Sequence, residues 1–198
     1  MKTLTQIFDS EKPLVMTDTG SSKVYLFLNG REVTVQEPQG EDGEPQEVTK
    51  YEYDVAEITP VSKSDADVLA AVKQQVQADI EAYDKSDAVN QFFLNGMPMW
   101  VPDADRTKLA KRMNTDEQDG KTVTKVIYNH VAFTLPIAAA RQMLQKVESY
   151  ATACFDKTNE HILTVLGMTD VAAVLGYDYR AGYPEAKPSA VINPVTEP

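Results

Sequence analysis

Two histidines, one cysteine and a few groups of carboxylates are the residues of this chain that could hold a metal or carry out a reaction. His130 follows Asn129 between two apolar runs, the place of a solvent-exposed turn histidine. His161 stands beside Glu160 but has no second histidine three or four residues away, which makes a poor metal site. Cys154 continues the apolar series Ile137, Ala140, Leu144, Val147 and Ala151, so it reads as a buried, inert thiol rather than a nucleophile. Asp103 and Asp105 read as cap acids. Asp116, Glu117 and Asp119 read as loop acids, without the alternating oxygen ligands of a calcium loop. No Gly-rich phosphate loop, nucleophile elbow or HExxH pattern occurs. The expectation is a chain with no catalytic residue, no cofactor and no metal.

Binding is the better prospect. Met97, Met99 and Met113 with Trp100 could line an adaptable surface, core packing being the simpler alternative. Arg106, Lys108, Lys111 and Arg112 form a basic strip, read as a solvated helix face opposite Leu109 and Met113. A net charge of -11 argues against a broad phosphate-neutralising surface, so no nucleic acid is expected as partner. The single cysteine excludes an intramolecular disulfide and suits a cytosolic fold. Met1 to Ser10 lacks the apolar stretch of a signal peptide, and no run approaches the roughly 20 apolar residues that span a bilayer, so no membrane is expected either.

The elements that must position these residues centre on Asp87 to Val101, an apolar run holding the only Trp. Asn95-Gly96 between short apolar runs is a two-residue hairpin signal, which places Leu94 opposite Met97 and Phe92 opposite Met99 on one face. Upstream, residues 1 to 22 read as an irregular lead-in with a short strand near Leu14 to Met16. Asn29-Gly30 reads as a second such loop, pairing Leu26 with Val33 and Val24 with Val35, with Tyr25 and Phe27 on the other face. Glu37 to Glu47 reads as a solvated loop, and Val48 to Ile58 as a third strand with Tyr51, Tyr53 and Val55 on one side. Ser64 caps an amphipathic helix with Val68, Val72, Val76, Ile80 and Tyr83 in a stripe that would suit either a coiled-coil seam or a packed spacer.

Downstream, a short helix from Asp103 ends at Asp119-Gly120. Thr122 to Tyr128 and Val131 to Leu135 form another hairpin, setting Val126 against Phe133 and Thr124 against Leu135. Pro136 opens the strongest helix, and Thr158 caps a further short helix that Gly167 stops. Thr169 to Gly176 is a last helical turn or two. The fold class is α+β. Residues 1–60 form an N-terminal small antiparallel β-sheet, 61–86 a connecting amphipathic helix, 87–185 a C-terminal α+β domain with two hairpins and three to four helices, and 186–198 an extended tail. The candidate interface is aromatic and Met-rich: Tyr25, Phe27, Tyr51, Tyr53, Met97, Met99 and Trp100.

One long pattern is more specific than any of these signals. It runs from Asp87-Ala-Val-Asn-Gln-Phe through Leu94-Asn-Gly-Met-Pro-Met-Trp100 and Asp105-Arg106, then Pro136, Met143-Leu144 and Glu148-Ser-Tyr150-Ala-Thr-Ala-Cys154, and closes with Tyr177-Asp-Tyr-Arg-Ala-Gly-Tyr-Pro-Glu185. It resembles an uncharacterised domain family that recurs in phage and prophage proteins and in gut Bacteroidetes genomes. Pro102 and Lys187-Pro188 depart from the pattern, the latter replacing an apolar ending. The resemblance carries no catalytic residues. It implies a phage or prophage structural protein, a tail, fibre or head accessory component of the virion assembled in the bacterial host cytoplasm. Its partners would be other virion proteins and copies of itself in a homo-oligomer. The alternative is a tail-fibre assembly factor that binds a fibre during maturation and then leaves.

Overall fold

The computed structural model describes residues 1–38, 45–128 and 131–192. The middle of the loop expected over Glu37 to Glu47, the His130 turn and the end of the tail lie outside the described residues. Among the described residues the elements run β1 (Thr3–Phe8), β2 (Val15–Thr17), β3 (Val24–Glu37), β4 (Gln46–Ile58), α1 (Asp65–Asp84), β5 (Phe92–Leu94) and β6 (Met97–Met99). They continue with α2 (Asp103–Gln118), β7 (Val123–Tyr128), β8 (Val131–Pro136), α3 (Ile137–Gly167), α4 (Val171–Leu175) and β9 (Ser189–Ala190), an α+β fold with an N-terminal antiparallel sheet. The chain divides into two units, and neither is continuous: Met1–Asp79 joins Ile162–Asp178, and Ile80–His161 joins the chain from Tyr179 onward. The boundaries at 60, 86 and 185 therefore do not separate the units. The helix expected as a connector belongs mostly to the first of them.

The first unit is built on a four-stranded sheet ordered β1-β4-β3-β2. The lead-in is thus not irregular, because Thr3–Phe8 pairs antiparallel along β4. Its two large aliphatics, Leu4 and Ile7, point to solvent, so no buried alternation announced the strand. Asn29-Gly30 is not a hairpin loop either. β3 runs straight through it, Val24 opposing Ile58, Leu26 opposing Ala56, Val33 opposing Lys50 and Val35 opposing Val48. The register slips between Leu28 and Arg31, and Asn29 takes a left-handed φ of 53°, the marks of a β-bulge. A long partner strand satisfies more ladder hydrogen bonds than a fold-back at residue 30, and the pairing continues as far as Glu37 opposite Gln46.

Phe8, Phe27 and Tyr53 meet edge to face on this sheet, with ring centroids 5.4 to 6.1 Å apart. The Tyr53 hydroxyl accepts from the backbone N–H of Lys12 at 3.0 Å. Helix α1 starts where expected: the Ser64 hydroxyl accepts from the Asp67 N–H at 3.2 Å. Val68, Val72, Val76 and Ile80 are buried within the chain, so the stripe is not an exposed coiled-coil seam. Lys73 Nζ donates to the Leu166 carbonyl at 2.7 Å, near the C-terminal end of α3.

In the second unit the central hairpin has the expected register, Phe92 against Met99 and Leu94 against Met97. Asn95 and Gly96 turn with φ of 51° and 79°, both left-handed as a type I′ loop requires. The start of the tail joins the sheet. Ser189–Ala190 pairs parallel to β5, completing a sheet ordered β6-β5-β9 despite the Lys187-Pro188 departure. Asn95 grips it further: its side-chain amide donates to the Ile192 carbonyl and accepts from the Ile192 N–H, both at 2.8 Å. β7 and β8 also pair in the expected register. Both hairpins pack with α2 and α3 on a core of Phe92, Leu94, Met99, Met113, Leu135, Met143 and Val147. No helix break falls at Thr158; α3 continues to Gly167. A buried Thr158 hydroxyl that donates to Asp84 at 2.9 Å does not compete for the helix backbone.

Candidate functional site

A groove of about 530 Å³ opens on the second unit between α2, β7 and the Met99–Pro102 connection. Asp105, Lys108, Leu109 and Arg112 line it from one face of α2, the i, i+3, i+4, i+7 set that helical geometry stacks together. Lys125, Val126 and Ile127 line it from β7. Consecutive strand residues point to opposite faces, so three in a row can border one groove only at the edge of the strand. Among the described residues that edge is open: β7 pairs with β8 alone, in a two-stranded sheet. Its outer N–H and C=O groups stand ready for another strand. β6 is also an edge strand, and Pro98 within it offers no N–H.

The rim is basic on an acidic protein. Lys108 pairs with Asp105 at 3.1 Å, an exposed contact of little energy. Arg112 stands 3.8 Å from Asp116, whose carboxylate is taken by Lys121 at 2.9 Å and the Thr124 hydroxyl at 2.8 Å. Those hydrogen bonds, Lys121 first and Thr124 second, hold the Asp116 carboxyl below its ordinary pKa. Lys125 has no ion pair among the described residues. Apolar surface completes the lining. Val126 is buried at the base, and Ile127, 63% exposed, leaves its side chain in solvent beside it.

Trp100 lines the groove, and its ring is fixed from two sides. Tyr150 meets it edge to face at 6.4 Å, and the Arg106 guanidinium lies 5.6 Å from its centroid. Arg106 departs from the expected solvated strip. It is buried, donating to Glu148 at 2.9 Å, to the Val101 carbonyl at 2.9 Å and to Asp103 at 3.3 Å.

The seven candidate interface residues divide between the two units, four in the first and three in the second. Tyr25 and Tyr51 are half-buried, and Phe27 and Tyr53 are buried in the aromatic cluster of the first unit. Met97 is exposed but outside the groove, Met99 is buried at its base, and Trp100 is half-buried along it. Met113 is core. Sequence reasoning passed over Lys125, Val126 and Ile127; the available signal was a large aliphatic at an outward position of the hairpin.

A few titratable side chains interlock in the interior of the second unit. Tyr150 donates to the Val89 carbonyl at 2.9 Å and accepts from Lys187 Nζ at 2.8 Å. Burial pushes the Tyr150 hydroxyl and the Cys154 thiol above their ordinary pKa values and the Lys187 ammonium below its own. A protonated, buried thiol is a poor nucleophile. His161 is buried with Nε2 donating to the Ala181 carbonyl at 3.0 Å, a structural role. Among the described residues no three His, Cys, Asp or Glu side chains gather as metal ligands, and no helix is long and apolar enough to cross a membrane. Asp103 and Asp105 pair with Arg106 and Lys108, while Glu117 pairs with Arg141 at 2.5 Å. No family model, curated protein or solved structure matches the chain.

Proposed function

We propose that this protein is a non-enzymatic structural component of a phage or prophage particle, a tail, fibre or head accessory protein that works through contacts with other virion proteins. The observation that supports a contact role is the groove: an apolar lining with a basic rim, set beside an unpaired strand edge. The particle context is supported by the residue pattern from Asp87 to Glu185 and its resemblance to the phage domain family. Virion parts repeat around symmetry axes, so a homo-oligomer fits the same reading.

Mass spectrometry of purified particles tests it. The expected result is this chain present in a fixed number of copies per particle. Its absence from particles, with recovery on an immature fibre instead, would replace the proposal with an assembly factor. Light scattering checks the oligomer separately, and a monomer at high concentration would count against it.

A further inference from the structure

We infer that the groove takes an extended segment of a partner protein, with acidic and apolar residues alternating, added as a strand along the free edge of β7. This rests on the protein-contact reading above and names the chemistry of the partner. The backbone argument comes first. A helix satisfies its own N–H and C=O groups and would leave the β7 edge unpaired, whereas an added strand pairs with it. The side-chain argument follows from the two-residue period. One set of side chains in the added strand shares the face of Val126 and meets Leu109 and Met99, which are apolar. The other set shares the face of Lys125 and Ile127. Lys108 and Arg112 add two more cations to the rim, with Asp105 in the lining and Asp116 3.8 Å from Arg112.

Charge complementarity then selects the partner. On a chain of net charge -11, this groove gathers three cations beside a strand edge, which favours an acidic segment there. A lysine on an edge strand can also serve only to deter aggregation. Here the lysine stands beside apolar groove lining, with Ile127 63% exposed next to it, so a strand added at this edge would cover apolar surface as well as meet the charge.

The test uses the full chain and a fluorescein-labelled peptide of alternating Glu and Val. The expected result is saturable binding by anisotropy, with a change in the emission of Trp100, the only tryptophan and part of the groove. N-methylation of alternate peptide amides removes edge donors and should weaken binding about tenfold, as should Lys125→Glu, an exposed change that leaves the fold intact. Equal binding of the methylated peptide, equal binding of a Lys and Val peptide, or no binding of the Glu and Val peptide would overturn the inference. So would self-association that Lys125→Glu abolishes, because the occupant would then be a second copy. If the peptide fails while particles contain the protein, only the strand inference falls. If the peptide binds while particles lack the protein, the particle reading falls instead.

Discussion

A methyl group on residue 30 would lie 2.5 Å from Cε1 of Tyr53, with two further ring carbons at 3.1 and 3.2 Å. The glycine is there for the tyrosine ring and not for a reversal of the chain. Gly30→Ala should therefore destabilise by about 1–3 kcal/mol, read from the urea midpoint, and Tyr53→Leu in the same chain should recover part of the loss. The buried titratable residues make a second expectation at this scale. Below pH 9.0 both folded and unfolded chains keep the Cys154 proton; above it the unfolded thiol ionises first, and stability falls. Tyr150 and Tyr183, also raised by burial, act with the same sign above 10.0. Lys187 acts oppositely, because its lowered pKa lets stability rise with pH up to 10.5. Above 10.5 nothing offsets the loss, so denaturation midpoints should drop steeply there, and Cys154→Ala should flatten the slope that starts near 9.0. Sequence spacing was enough to read Cys154 as buried, but not Arg106. A cation on a helix face looks solvated until Glu148, Val101 and Trp100 are brought to it by tertiary packing.

Elements whose partners lie close in sequence were legible, and those whose partners lie far away were not. The hairpins at 92–99 and 123–136 have registers dictated by two intervening residues, so pattern alone placed Phe92 on Met99 and Val126 on Phe133. The Asn29-Gly30 dipeptide carries the same local signal and yields a bulge, because β4 arrives from beyond a loop to pair with β3 on both sides of it. β9 was missed for the same reason: its partner β5 precedes it by most of the second unit. The groove was half legible. Met99 and Trp100 announce themselves, whereas the edge status of β7 depends on which strands do not come to it. Asn95 ties two of these elements together, so Asn95→Ala should cost about 2–3 kcal/mol, combining a left-handed residue and two lost hydrogen bonds. Hydrogen exchange at Ile192 should accelerate with it. Arg106→Met should loosen α2 from α3 by about 2 kcal/mol and shift Trp100 emission to the red, and Arg106→Lys should restore little, since one ammonium cannot fill three acceptors in the guanidinium plane.

For the whole molecule, the consequence lies in the order of the chain. Residues 87–185 held most of the recognisable pattern, yet the second unit also draws on Ile80, Tyr83 and Asp84 from α1 and on β9 and Ile192 beyond Glu185. A fragment of 87–185 should therefore remain unfolded by circular dichroism and proteolysis, whereas one of 80–192 should gain structure. The interleaving also reaches into synthesis. The first unit waits for Ile162–Asp178, which the ribosome makes only after nearly all of the second, and the second waits for the strand made after that. Translation therefore cannot finish one half and then begin the other. Until its last segments emerge, a growing chain holds a complete first sheet without the end of α3 and α4 that belong to its unit, and a central sheet still lacking β9. Slowed translation or premature termination should leave aggregation-prone products rather than a folded N-terminal piece.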